Sequence, residues 1–392
     1  MGETALRTLA LVAILALTAC HNAPPPEPDA LVVRPASFAD LPGWAADDPA
    51  AALPVFLKSC AVLLKQPDDQ AIGPGDVAGK VADWRPACTG AAAVPPGDSS
   101  AARAFVEAAF TPMAATNHGE ANGLFTGYYE AELHGARRPD GVFSTPLYRR
   151  PPDLVSVDLQ LFRPSLRGER IAGRVQNGRL VPYATRAEID AGALVGRNLE
   201  MIWVDNPVDA FFLAIQGSGR VTLADGSVVR VGYDGENGQP YLAVGKVLVE
   251  KGIPAAEVSM QRIRQWIAEH PDEGRGLMEQ NPAYVFFREV KGDGPLGAQG
   301  IALTPERSIA VDRRFVALGM PVWLDIPESA SPGGRLRRLM VAQDTGGAIR
   351  GPVRADVFFG HGAEAADRAG VLKATGRYWF LVPRGVAKPP IS

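Results

Sequence analysis

The sequence predicts a mainly β protein that carries carboxylate chemistry, with helices at its periphery. Three observations lead there. The 392 residues include 42 Gly and 34 Pro, a turn-rich composition that does not suit a helical bundle. From Tyr284 onward, short apolar runs of β character follow one another with little between them. Three aspartates, Asp312, Asp344 and Asp356, stand inside those runs, where a solvated carboxylate is not expected. A partly buried carboxyl with a raised pKa is what general acid catalysis needs at neutral pH.

The length allows two or three domains. A composition of 46% hydrophobic and 21% charged residues is that of an ordinary folded protein, and a net charge of −3 offers no footprint for nucleic acid.

Residues 1–19 read as a signal peptide. Arg7 precedes an apolar run over residues 9–17, shorter than the roughly 20 residues a membrane span needs. Leu17-Thr18-Ala19-Cys20 resembles the lipobox of bacterial lipoproteins, in which the cysteine becomes the lipidated first residue. His21 follows where an Asp would resemble an inner-membrane retention signal, so the expectation is an outer-membrane lipoprotein facing the periplasm. Residues 20–40, rich in Pro and Ala, would form its tether. Cys60 and Cys88 remain. An even pair in an oxidising compartment suits a disulfide, two buried free thiols being the alternative.

Two helical patterns come next, at about 48–65 and 100–111, the first opening on Asp48-Pro49. Residues 66–99, including Cys88, read as loop. Residues 123–130 read as a strand passing through Gly127. Residues 131–240 mix short strands and turns, with one short helix marked by the capping box Thr185/Glu188 and a hairpin at Asp225-Gly226. Amphipathic helices are expected at about 241–251 and 254–269, the second with Val258, Ile263, Trp266 and Ile267 on one face.

The five histidines include no pair at metal spacing, so neither a metal nor a cofactor is expected. Gly217-Ser218-Gly219 is not a nucleophile elbow, and no phosphate-binding glycine motif appears. The remaining Asp, Thr, Gln, Tyr and Gly suit carbohydrate. In strand alternation Asp356 and Phe358 share one face, with Val357 and Phe359 on the other. Aromatic packing favours the neutral acid, a good proton donor to a glycosidic oxygen. Spacing alone leaves open a purely turn-holding Asp356. Asp344, before Thr345-Gly346-Gly347, reads as a turn former, with a partner of Asp356 or a second catalytic carboxylate as alternatives. Thr126 could bond a reacting hydroxyl and Gly127 could admit a ligand close to the backbone; an aromatic core strand through Tyr128 explains the same residues. Gln216-Gly217-Ser218-Gly219 is either a ligand contact or a turn.

At these residues the chain resembles the membrane-bound lytic murein transglycosylase A family. Phe125-Thr126-Gly127-Tyr128-Tyr129, Gln216-Gly217-Ser218-Gly219, the Met260 to Trp266 segment and Asn281-Pro282 through Phe287 match in order, and Asp312 to Phe359 looks like that family's three-aspartate domain. The resemblance implies a double-psi β-barrel domain, residues 41–130 and 286–385, with a smaller β-rich domain, residues 131–285, inserted in it and glycan lying between them. It implies that Asp356 is the single catalytic acid and base, that Thr126, Gly127, Tyr128, Gln216, Ser218, Asp312, Asp344 and Gly346 bind substrate or support the site, and that the protein is a monomer acting on peptidoglycan strands from an outer-membrane anchor at Cys20. The expected reaction cleaves the β-1,4 bond between N-acetylmuramic acid and N-acetylglucosamine, leaving a 1,6-anhydro end. A hydrolase using Asp356 with Asp344, or a non-catalytic peptidoglycan-binding lipoprotein, would share many of these features.

Overall fold

Among the described residues, thirteen strands join one sheet, and three more, Val155–Asp158, Arg170–Gln176 and Arg179–Val181, form a small separate one. A computed structural model describes residues 27–386 apart from 167, 168, 293 and 329. The expected signal peptide and Cys20 lie outside the described residues.

Part of the large sheet returns on itself. Gly123–Ala136 runs parallel to Arg354–His361, which is antiparallel to Ser308–Val311. Ser308–Val311 runs parallel to Arg335–Asp344, which is antiparallel to Pro321–Pro327. Lys373–Pro383 then pairs with both Pro321–Pro327 and Gly123–Ala136, completing the circuit. Phe125, Ile309, Leu324 and Val357 from these strands are fully buried in the main core. Helices Leu53–Leu63, Val81–Ala93 and Ser99–Ala109 lie against it, with Phe56, Trp84 and Phe110 in mutual ring contact.

Gly123–Ala136 is long enough to serve two sheet regions. Its residues 124–128 pair with the Asp356 strand, while 131–135 pair in parallel with Ser218–Leu223. Ser218–Leu223 makes a hairpin with Val228–Glu236, where Gly226 supplies the positive φ (80°) that the turn after Asp225 requires. Val285–Glu289 pairs next, and Glu200–Val204 and Thr145–Tyr148 branch from the far end of the long strand.

The structure corrects five readings of the sequence. The expected tether at 20–40 is not all linker, because Leu31–Pro35 is a strand paired with Phe110–Asn117, with Thr116 Oγ1 donating to Val32 O at 3.0 Å. Residues 66–99 are not all loop, because Val81–Ala93 is a helix that holds Cys88. Pro86 and Gly90 give that segment the look of a breaker. Their cost is offset by the fully buried Trp84, by the Asp83 carboxylate accepting the Lys80 N–H at 2.8 Å, and by the Cys60–Cys88 disulfide to helix Leu53–Leu63. The expected helix at 254–269 begins only at Met260, since the Ser259 hydroxyl accepts the Arg262 N–H and caps it there. A further helix, Pro271–Glu279, starts with proline at its first position, where no backbone donor is needed. The strand-rich C-terminal part is interrupted by helix Ala363–Val371, whose small residues Ala365 and Ala369 pack onto the sheet.

Candidate active site

The site is built on strand register. Asp356 lies opposite Thr126 on its parallel side and opposite Ala310 on its antiparallel side. Ala310 in turn lies opposite Asp344. Residues opposite one another share a face, so Asp344, Ala310, Asp356 and Thr126 form one row across four strands. Strands lie about 4.8 Å apart, which sets the two acids' backbones about 10 Å apart with only a methyl group between them.

A bulge makes this row. Ile309 pairs with Ala342, but Ala310 pairs with Asp344, so Gln343 is the extra residue. Gln343 turns inward, fully buried, accepting from the Ser308 hydroxyl at 2.7 Å and donating to Val55 O and Ser59 Oγ. Its burial fixes helix Leu53–Leu63 against the strand and re-aims Asp344 to the site face.

Along the strands, the next residues on this face are Phe358 and Tyr128, with ring centroids 5.2 Å apart. With Ala310, Leu303 and Ile349 they form a small apolar floor. Burial there lifts the Asp356 carboxyl to about 6, against the opposing pull of the Arg354 charge and the Thr126 hydroxyl, while Asp344 pushes it further up. Asp344 is also raised by burial, opposed by the Thr345 N–H, the Tyr128 hydroxyl and the Ala298 N–H. The Tyr128 hydroxyl, buried beside Asp344, stays protonated far above the ordinary tyrosine range.

The hydrogen bonds have a direction. Arg354 Nη2 donates to Thr126 Oγ1 at 2.8 Å, so that oxygen is an acceptor. The single hydroxyl proton of Thr126 then goes to Asp356 Oδ1, at 2.7 Å. Oδ1 is therefore occupied as an acceptor, and the proton of the neutral acid sits on Oδ2. Oδ2 has no partner among the described residues and is not among their enclosed, unpartnered atoms. Asp344 differs: Oδ2 accepts from Tyr128 at 2.8 Å and Oδ1 from the Ala298 N–H at 2.9 Å. One acid presents a free oxygen, and the other has both engaged.

The remaining expected site residues are placed as follows. Asp312, 2% exposed, grips Arg314 and accepts the Gly351 N–H at 2.8 Å, and these contacts outweigh its burial and hold its pKa below the ordinary value. Thr345 donates to Val311 O at 2.9 Å, so both ends of the turn from 345 to 351 are clipped to Val311 and Asp312. Gly346 lies inside that turn, its carbonyl accepting the Ile349 N–H. Gln216 ends helix Pro207–Gln216 and accepts the Tyr129 N–H at 2.9 Å, bracing the Thr126 strand. Ser218 is buried opposite Gly232. The close neighbours of Gly127 are protein: a Cβ there would stand 2.8 Å from Ala369 Cα and 2.7 Å from the Phe359 ring, which corrects the expectation that its missing side chain makes room for a ligand.

Three further residues contribute to the site. Arg354 shares the face of Asp356 by simple alternation, so that signal was available. Ala298 reaches Asp344 from a distant loop, and Tyr241 (41% exposed) is near enough to Asp356 to feel its charge; nothing local marks either one. Glu236, raised by burial, is drawn the other way by the charge of Arg350 in the 345–351 turn. Asp344 and Asp356 are both partly exposed, so the row of acids reaches solvent, with Tyr241 near Asp356.

Residues 124–288 match the MltA specific insert domain, and residues 307–382 match the 3D domain. Membrane-bound lytic murein transglycosylase A of Escherichia coli K12 is 35% identical over 292 residues, 73% of this chain and 72% of that protein. The chain belongs to the membrane-bound lytic murein transglycosylase A family. The Vibrio cholerae member is 32% identical over 269 residues, 67% of this chain and 66% of its own length. Among solved structures, a membrane-bound lytic murein transglycosylase from Agrobacterium tumefaciens superposes with a TM-score of 0.79 at 34% identity, covering 90% of this chain and 98% of that one. MltA from E. coli with bound chitohexaose superposes at 0.64 and 28% identity, over 92% and 93% of the chains. The mainly β architecture with peripheral helices is that of transglycosylase A family members.

Proposed function

We propose that this protein is a peptidoglycan lytic transglycosylase in which Asp356 acts alone as acid and then base. One observation carries the reading: burial lifts the Asp356 carboxyl to about 6, and its proton falls on the carboxyl oxygen that has no partner among the described residues. Neutral Asp356 gives that proton to the oxygen of the β-1,4 bond between N-acetylmuramic acid and N-acetylglucosamine. The bond breaks, the glucosamine unit leaves with a hydroxyl, and positive charge develops at the muramoyl C1. The carboxylate then takes the proton of the muramoyl C6 hydroxyl, whose oxygen closes on C1. Asp356 is neutral again, and the product is a 1,6-anhydro end.

Thr126 fixes which oxygen carries the proton and stabilises the transient carboxylate, and Arg354 fixes Thr126. Asp344, held by Tyr128 and Ala298, keeps the face in register and disfavours early ionisation of Asp356. Hydrolysis by a carboxylate pair would need Asp344 to activate water, and the hydrogen bond that each of its oxygens already accepts makes it a weaker base for that task.

The reading extends to architecture and placement. The closed strand circuit, with its two parallel pairs, supports a double-psi β-barrel. Residues 41–130 and 286–385 would be the barrel domain and 131–285 the insert, with glycan between them. The lipobox supports an outer-membrane anchor at Cys20, holding a monomer toward the periplasm.

Digestion of purified sacculi in ¹⁸O water, read by mass spectrometry, tests the chemistry. Products one water lighter than reducing ends, without label at C1, are expected. Labelled reducing muramic acid would replace this reading with hydrolysis, and glycan binding without turnover would replace it with a binding protein.

A further inference from the structure

We propose that a cationic pocket on the sheet beyond the active site binds a carboxylate of the peptide stem carried by the glycan. The proposal rests on the glycan-cleaving reading above, extending it from the sugar to the peptide. The pocket, about 410 Å³, is lined by Arg220, Val228, Arg230, Val290, Lys291 and Gly292. Arg220 lies opposite Glu132 in one neighbouring strand and opposite Arg230 in the other, so the two guanidinium side chains stand side by side on one face. That face continues from the active site, because Thr126, Tyr128, Glu130 and Glu132 alternate along the same strand.

The pocket's charges are incompletely used. Glu130, 1% exposed, approaches Arg230 Nε at 3.2 Å, yet neither Glu130 Oε1 nor Arg230 Nε has an aligned hydrogen bond among the described residues. The Arg230 Nη1 group donates to Gly292 O. Arg220 Nη1 is 3.4 Å from His361 Nε2, and His361 Nδ1 faces Glu132 at 3.2 Å. Lys291 is exposed and makes no ion pair within 4 Å among the described residues. Against three cations stand the buried Glu130, which feels both arginines, and Glu132, shared with His361; Glu289 also feels Lys291, but Arg137 already holds both of its oxygens. An anion fits the surplus, and Val228 and Val290 suit the methylene part of an acidic peptide residue.

Distance agrees. Six steps along the strand lead from Thr126 to Glu132, or about 20 Å at roughly 3.3 Å each. A lactyl arm plus five extended residues spans up to about 20 Å. Intact sugars of the strand carry no charge, so the stem is the part of this substrate that supplies carboxylates.

Two measurements on the full chain test the proposal. In the first, free stem peptide released from sacculi by an amidase is titrated into Asp356→Asn protein, with and without Arg220→Gln and Lys291→Gln. Losing charge-assisted hydrogen bonds should weaken Kd at least tenfold. An unchanged Kd overturns the proposal, as does inorganic phosphate displacing the peptide at equal concentration. This arm needs no turnover, so its outcome is separate from that of the transglycosylase reading. In the second, the otherwise wild-type Lys291→Gln protein, altered only at an exposed side chain, is compared on peptide-bearing and peptide-stripped strands. KM should rise several-fold on the former alone, with kcat unchanged and Lys291→Arg restoring it. Equal changes on both substrates overturn the proposal.

Discussion

Asp344 and Asp356 both lie opposite Ala310, one on each side of it, and a single bulge at Gln343 is what brings the first of them there. The two carboxyls share a face and an apolar floor, yet they differ in what they can do. Tyr128 and Ala298 occupy both oxygens of Asp344, whereas Thr126 occupies one oxygen of Asp356 and leaves the other open. Division of labour between like groups follows from their hydrogen-bond partners.

Turnover should fall as pH rises through about 6 in the free enzyme, because the proposed proton donor is the neutral form of Asp356. The check is kcat/KM against pH on soluble glycan strands. A flat profile between pH 5 and about 8 would rule out Asp356 as the titrating donor.

Asp356→Asn should abolish turnover, a loss of at least about 10²–10⁴-fold, while stabilising the fold at alkaline pH. The folded-state pKa of about 6 lies above the unfolded value near 3.9. The wild type therefore loses stability as pH rises from about 4 through 6, by roughly 2–3 kcal/mol in all. Asn does not titrate and keeps an acceptor for Thr126. Denaturant midpoints at pH 4 and pH 8 should differ in their response, with a gain for Asn only at the higher pH.

Thr126→Val removes a hydrogen bond that favours the carboxylate while keeping the side-chain shape. The pKa of Asp356 should rise, moving the alkaline limb of the pH profile upward, and kcat should drop about 10–100-fold, since a bond to a charged group is worth roughly 1.5–3 kcal/mol. A drop in kcat with no shift of the limb would contradict the assigned direction of this bond.

Gly127→Ala should destabilise the protein by about 1–3 kcal/mol, because the new methyl meets Ala369 Cα and the Phe359 ring and pushes helix Ala363–Val371 off the sheet. Thermal melting measures it. Unchanged stability would mean that this contact is looser than its geometry implies.

Cys60→Ser with Cys88→Ser should cost about 3 kcal/mol, since the bridge closes a chain separation of 28 residues and ties two helices of the outer layer. The same shift should appear on reducing the wild type before unfolding it. Melting curves that ignore the reductant would show that the bond contributes nothing measurable.

The sequence by itself determined the strand-rich character, the hairpin at Asp225-Gly226, the capped helix after Thr185 and the alternation that puts Asp356 and Phe358 on one face. These are local matters: a φ only glycine adopts readily, a side chain that satisfies its own helix end, a period of two. Helix Val81–Ala93 was hidden because Pro86 argues against it locally, and only Trp84, Cys88 and the packed core outweigh that. Which acid stays free was likewise beyond local reading. It depends on Ala298, 46 residues before Asp344, and on Thr126, 230 residues before Asp356. Hydrogen bonds of that span exist only once the strand register is set, and burial, which raises the carboxyl, exists only once the floor of Tyr128, Leu303 and Ile349 has closed beneath it.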